Sequence, residues 1–431
     1  MPARALCLLI LLTAACSRKP EPKPAPTTNY VNPNVCASCH PQVAQTYRQT
    51  GMGRSFYRAT PETMTVEKLD ATLAHKASDR HYRFLRRGNQ FFLRRHQLSP
   101  TGEEENILER EIHYIMGSGH KSRSYIHHTA ENRLIELPVS WYAENGGTLA
   151  MSPGFDNPFQ QDFRRRITHE CMFCHNGYPN VEKGADLPGK EPFFPAALPE
   201  GIDCQRCHGP GREHVERATA KADAAKIREA ILNPSRLPAS RQLEVCMQCH
   251  LETTSFPLPN ATQRSGRAIY SYSPTEPLAD YVFHFDHAPR TGHDDKFEIV
   301  SSVYRLRQSA CFLKSEGKLV CTTCHNPHRT VPAAEAAKHY AAICRNCHAK
   351  AHAPSPDCTS CHMPQRRTED VVHAVMTDHK IMRRPPVNPL APRAEKPASD
   401  AYQGAVVAYY PTEAPGLDLH LAAAQVVHGS N

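Results

Sequence analysis

A chain of 431 residues with 40% hydrophobic and 7% aromatic residues and a single Trp holds little material for a large aliphatic core, so something other than side chains must supply apolar bulk. A disulfide framework is excluded as the reading of its 17 Cys, because fourteen of them fall into seven copies of one short motif. The formal charge of +8 invites a nucleic-acid partner; none is expected once the charge of the group bound by those motifs is counted.

The N-terminus carries Arg4, an apolar run over residues 5–12, then Thr13, Ala14, Ala15 and Cys16. This run is shorter than the ~20 apolar residues that span a bilayer, and residues 1–15 read as a secretory signal peptide. Small residues before Cys16 resemble a bacterial lipoprotein cleavage box, with Thr13 where such a box usually has Leu or Val. Cleavage there would leave Cys16 as a lipidated first residue and membrane anchor, and the protein is expected to be exported, periplasmic or outer-membrane-associated. Residues 16–29 place Pro at every second position from 20 to 26, an extended polyproline-like tether.

The first motif segment, residues 30–60, holds the first Cys-x-x-Cys-His, with Cys36, Cys39 and His40. Residues 61–168 separate it from the second motif and read as a small β-rich insertion. Within it, residues 81–86 and 90–98 flank the turn Arg87-Gly88-Asn89 as a hairpin, and residues 111–116, 124–128 and 133–137 read as further short strands. Residues 169–382 form a domain that holds the other six motifs. Its motifs are Cys171, Cys174 and His175; Cys204, Cys207 and His208; Cys246, Cys249 and His250; Cys321, Cys324 and His325; Cys344, Cys347 and His348; and Cys358, Cys361 and His362. Residues 212–232 look like one surface helix. Residues 383–431 are a Pro-rich linker and short tail, with a strand over 405–410 and a helix over 417–428 that has no visible partner.

Cys-x-x-Cys-His is the attachment signature of a c-type haem: the two thiols form thioethers with the vinyl groups and the His binds the iron. Zinc knuckles also use paired Cys-x-x-Cys, but they have no reason to place His directly after the second Cys. Seven covalently bound haems are therefore expected, with a chain largely unfolded without them. Seven haems bring fourteen propionates and, when ferric, seven positive charges, so the formal +8 becomes roughly +1 oxidised and roughly −6 reduced. Arg outnumbers Lys by 35 to 16, which suits planar pairing with propionates. The expected fold is mainly α and irregular, organised around haems, with the small β-rich insertion between the first and second motifs.

Each iron needs a second axial ligand or remains open. His214 follows a glycine-permitted return at Gly209-Pro210-Gly211, and His328 is too near His325 to reach the far side of its own haem, so it points to a neighbour's iron. His373 and His379 follow the last motif closely, while His120, His287 and His293 sit in turn-rich contexts. His113, His169, His284 and His352 are reserves. Met52, twelve residues after His40, is a candidate ligand that would raise the potential of the first haem, although a core or surface Met is the alternative. Cys311 reads as an inert buried thiol.

These residues resemble the multihaem c-type cytochromes of the hydroxylamine-oxidoreductase-related superfamily, of the doubled-CXXCH kind often followed by tetratricopeptide repeats. The resemblance is carried by residues 113–119, 171–179, 204–214, 297–312, 321–328 and 370–379. It implies electron transfer through mostly bis-His haems and helical repeats after about residue 400; the chain stops within what would be the first repeat helix. A His often stands in that superfamily where Met52 stands here. The first functional reading is an electron carrier, with redox protein partners in the periplasm or at the cell surface. The rival is a reductase or oxidase acting on a small nitrogen or sulfur compound at one five-coordinate haem, which needs an open iron beside proton-delivering groups. A third reading, a haem-bearing adaptor, needs a repeat array.

Overall fold

The computed structural model describes residues 29–67, 69, 71–178, 181–254, 258–349, 357–395, 405–412 and 416–428. The expected signal segment, Cys16, the Pro-rich stretch up to residue 28 and the reserve ligand His352 lie outside the described residues. Nine strands occupy the region between the first two motifs: β1 Phe56–Arg58, β2 Thr72–His75, β3 Arg80–Arg87, β4 Gln90–Leu98, β5 Glu104–Ile112, β6 Tyr114–Met116, β7 Ser122–His128, β8 Leu134–Tyr142 and β9 Thr148–Met151. They form two antiparallel sheets, β2-β3-β4-β5 and β1-β6-β7-β8-β9. The β3–β4 hairpin lies where its alternation predicts. Arg87 pairs with Gln90 across a two-residue loop, and Gly88 takes the left-handed conformation (φ 60°) that such a tight turn demands.

Alternation along the strands decides which sheet faces what. Tyr82, Phe84, Phe91 and Leu93 point from the four-stranded sheet onto Ile115, Tyr125, Leu137 and Val139 of the five-stranded one, closing a sandwich with its own core. The chain crosses between the sheets at His113, so the expected strand over 111–116 is split between them. The opposite face of the five-stranded sheet is also covered. Phe56, Tyr114, Ile126 and Leu134 join a second cluster with Met172, Phe173, Leu243 and Met247 from the haem-motif helices.

This architecture overturns the expectation of a mainly α and irregular fold with a small β-rich insertion. Among the described residues helix makes up 29% and strand 21%, in four antiparallel sheets, and the β region is a substantial layered body. The physical reason is double coverage: β8 is buried at eight of its nine positions, and a strand covered on both faces loses the polar–apolar alternation that marks strands in a sequence.

The outer face of the four-stranded sheet carries an ion-pair ladder. Glu104 accepts from Arg83 at 2.9 Å and Arg94 at 2.8 Å, and Glu109 accepts from Arg94 and Arg87 at 2.7 Å each. Partial burial pushes both carboxyls up, but the guanidinium hydrogen bonds and charges outweigh it and hold them below the ordinary glutamate value. Their contribution to stability is thus present above the ordinary range and lost as the pH falls from about 4.3 through the depressed values. We expect Glu104→Gln/Glu109→Gln to lower the melting temperature at pH 7 and to lose that difference near pH 3; an equal deficit at both pH values would contradict the assignment.

The remaining elements are short. Helices are α1 Pro33–Cys39, α2 Pro41–Tyr47, α3 His169–His175, α4 Gln205–His208, α5 Arg212–Thr219, α6 Ala224–Glu229, α7 Ala239–His250, α8 Ser302–Arg307, α9 Ala310–Lys314, α10 Cys321–Cys324, α11 Ala333–Arg345, α12 Thr359–His362 and α13 Leu417–His428. The single helix expected over 212–232 is two: Lys221 turns left-handed (φ 54°), and the Asp223 carboxylate caps α6 by accepting from the Ala225 amide at 2.8 Å. A three-stranded sheet of β10 Thr262–Gln263, β11 Val282–His287 and β14 Val406–Tyr410, and a hairpin of β12 Gln365–Arg367 with β13 Val375–Thr377, complete the fold. The tail has a partner after all. β14 pairs with β11, and Ala422 and Val426 of α13 pack on Leu258, Phe283 and Phe285.

Candidate haem centres

Each motif is wound into about one helical turn. The amide of the motif His donates to the carbonyl of the first Cys in five of them: His40 to Cys36 at 2.9 Å, and His208 to Cys204, His325 to Cys321, His348 to Cys344 and His362 to Cys358 at 3.0 Å each. That bond puts positions i, i+3 and i+4 on one helix face, so both thiols and the imidazole are presented together. The second motif is α3, and the fourth ends α7. The fifteen described Cys, Cys311 among them, are free thiols, which leaves the motif pairs available for thioethers.

Three motif imidazoles stand opposite a second imidazole. His40 and His214 have ring centroids 6.4 Å apart with planes within 17°; His208 and His328 are 5.9 Å apart, also at 17°; His325 and His379 are 6.2 Å apart at 44°. Two imidazoles bound at ~2 Å to opposite sides of one metal ion place their centroids about 6 Å apart, so each pair fits a single iron between its rings. Their tautomers fit as well. Nδ1 of His208, His214 and His379 donates to the carbonyls of Leu232, Ile227 and Thr377 at 2.8, 2.8 and 3.1 Å. Carbonyls only accept, so the proton sits on Nδ1 and the Nε2 lone pair is left for a metal. Nδ1 of His362 donates likewise to the Met382 carbonyl at 2.8 Å, and the Tyr340 hydroxyl contacts Nδ1 of His325 at 3.3 Å. Burial lowers the pKa of His175, His250, His325, His328 and His379, keeping these rings in the neutral, ligating form.

Other sequence candidates are placed elsewhere. His287 and His293 stack face to face at 3.8 Å and 13°, too close for an ion between them. His373 lies 5.2 Å from the Tyr142 ring. His120 is exposed in the turn between β6 and β7, its amide donating to Ser118 Oγ at 3.3 Å. Met52 lies in the turn after α2, where its carbonyl accepts from the Ile202 amide at 3.0 Å, while the ring opposite His40 is that of His214. Among the reserves, His284 is buried beside Tyr410, its pKa pushed down to about 3 by burial. His113 clusters with His127 and His128 on the sandwich, and His169 packs between Phe194 and Tyr270.

The motifs are also brought against one another. The thiols of Cys36 and Cys204, of Cys174 and Cys249, of Cys246 and Cys321, and of Cys344 and Cys358 lie near enough to perturb one another's ionisation. Gln205 reaches Val31 ahead of the first motif, Nε2 to carbonyl, at 2.8 Å, and Gln248 reaches the Arg206 carbonyl at 3.1 Å. The fifth, sixth and seventh motifs follow one another through packing of α10 on α11 and α11 on α12. Sequence reasoning missed the x-x residues inside the motifs, above all Arg206; the one signal for it was an arginine confined between two haem-linking thiols.

Residues 314–353, which contain the fifth and sixth motifs, match the family model described as the doubled CXXCH motif. No curated protein and no solved structure matches the chain. The chain therefore carries the motif of a multihaem c-type cytochrome, and with it covalently bound haem c and its iron.

Proposed function

We propose that the protein is an exported heptahaem c-type cytochrome of the hydroxylamine-oxidoreductase-related kind, which carries electrons between redox proteins in the periplasm or at the cell surface and is anchored through Cys16. Haem bound at the motifs supplies one-electron exchange at its iron. The chain's own residues do the rest. The fourteen motif thiols would tether the haems, the motif imidazoles would bind the irons, and His214, His328 and His379 would supply second imidazoles to three of them, keeping water and small molecules away. Neighbouring motifs run first, third, fourth, fifth, sixth and seventh, with the second beside the fourth. That order keeps tethered haems adjacent, as hopping requires.

The observation that carries this reading is that three separate motif histidines each face a second imidazole at one iron's width. Haem quantification and reduced-minus-oxidised absorption with carbon monoxide test it. We expect seven haems per chain, of which the three whose motif histidines face a second imidazole do not respond to carbon monoxide in the wild type. His328→Ala should open one haem in seven to carbon monoxide. A His328→Ala variant that responds to carbon monoxide no more than the wild type would overturn the closed-carrier reading.

A further inference from the structure

Three attachment motifs converge on one guanidinium. Arg206 stands between the thiols of the third motif and is 1% exposed. Its Nη2 donates to the carbonyl of Phe173, inside the second motif, at 2.6 Å, and its Cζ lies 3.9 Å from the Phe173 ring centroid and 4.6 Å from that of Tyr178. From the fourth motif, Gln248 donates to its carbonyl at 3.1 Å, and the Cys249 thiol, held below its ordinary pKa first by Cys174, also feels the Arg206 charge. Among the described residues Arg206 Nε and Nη1 have no hydrogen-bond partner. Among the described residues no carboxylate forms an ion pair with it; Asp203 feels its charge, yet burial still pushes that carboxyl up.

A buried charge without a protein carboxylate beside it is costly, and two aromatic faces offset only part of the lost hydration. Anything that adds negative charge nearby is correspondingly favoured. Reduction of an iron held by the second, third or fourth motif does that. At an effective dielectric of ~20 and separations under ~10 Å, two unit charges interact by about three times the thermal energy or more.

We propose that Arg206 is the potential-setting charge of a three-haem hub, raising the reduction potentials of the haems on the second, third and fourth motifs above those on the fifth to seventh, so that electrons entering the array collect there. This rests on the haem-carrier reading and deepens it. Arg206 is a positioning residue in the electrostatic sense: it binds no iron and sets the equilibrium through its charge.

The test is a spectroelectrochemical titration of the haem-loaded wild type and of Arg206→Gln and Arg206→Lys. Dithionite supplies one electron to each ferric centre, and no bond to the protein is made or broken. In Arg206→Gln, the reduction equilibrium constant of at least one high-potential haem should fall about tenfold or more, a 59 mV shift for one electron; Arg206→Lys should retain most of the wild-type value. Should the Gln variant not mature, Tyr178→Glu, which keeps Arg206 and brings a carboxylate to its face, must produce the same fall. Unchanged potentials in the neutral variant overturn the proposal, as does an equal fall in the Gln and Lys variants, which would trace the effect to packing. A wild type without reversible haem reduction would instead sink the carrier reading itself.

Discussion

Produced without haem attachment, the chain is expected to be digested by proteases everywhere except a fragment near residues 56–167. The β sandwich has a core of fourteen buried residues, from Tyr57 to Phe163, with no motif Cys among them. The haem region has no comparable independence. Its cluster takes in Cys174, Cys246, Cys249 and Cys321 as packing partners, and α4, α10 and α12 are four residues long, far below the ~12–15 residues at which an isolated helix becomes even marginally stable. Attachment energy there is folding energy. The surviving sandwich would expose Phe56, Tyr114, Ile126 and Leu134, a patch that invites association. Limited proteolysis with mass spectrometry, together with far-ultraviolet circular dichroism showing retained strand and lost helix, checks this. Uniform digestion, or resistance of the whole haem-free chain, would show that the two layers do not differ in this way.

Asp378→Ala should be among the most destabilising single substitutions in the haem-loaded protein. Arg305 and Asp378 are both fully buried. Asp378 accepts from Arg305 Nε at 2.9 Å and Nη2 at 2.7 Å, from Arg366 Nη1 at 2.8 Å, and from the Lys380 amide at 2.8 Å. Removing the carboxylate leaves two interior guanidinium groups with only the exposed Asp295 as a carboxylate partner. Breaking a buried pair from one side costs about 3–5 kcal/mol, most of it the stranded charge. The damage should also reach the adjacent His379, which faces His325, so the low-spin haem signal in electron paramagnetic resonance should change for one centre. Denaturant titration measures the first effect; a loss under about 1 kcal/mol would mean that the network is solvated and contributes little.

What could be read from the sequence was local. A motif that closes within one helical turn carries its chemistry in five consecutive residues, so Cys204, Cys207 and His208 announce their role wherever the chain takes them. The β3–β4 hairpin was equally legible, because Gly88 and Asn89 set the turn that fixes the register. The extent of the β body was not, since strands such as β8 are buried on both faces and show no alternation. The tail helix lacked a visible partner because its partners, Phe283 and Phe285, lie far away in the chain.

The sequence by itself determined where the seven Cys-x-x-Cys-His motifs lie, and such motifs imply covalently bound haem c. Tertiary structure alone decided which imidazole faces which. His214 returns to the first motif's His40, His328 crosses to His208, and Arg206 is sealed where three motifs meet. The physical reason is reach. Attachment is a contact between residues three and four apart, enforced by the helical hydrogen bond, whereas a second ligand or a buried charge is chosen by packing between segments whose separation along the chain carries no information about their separation in space.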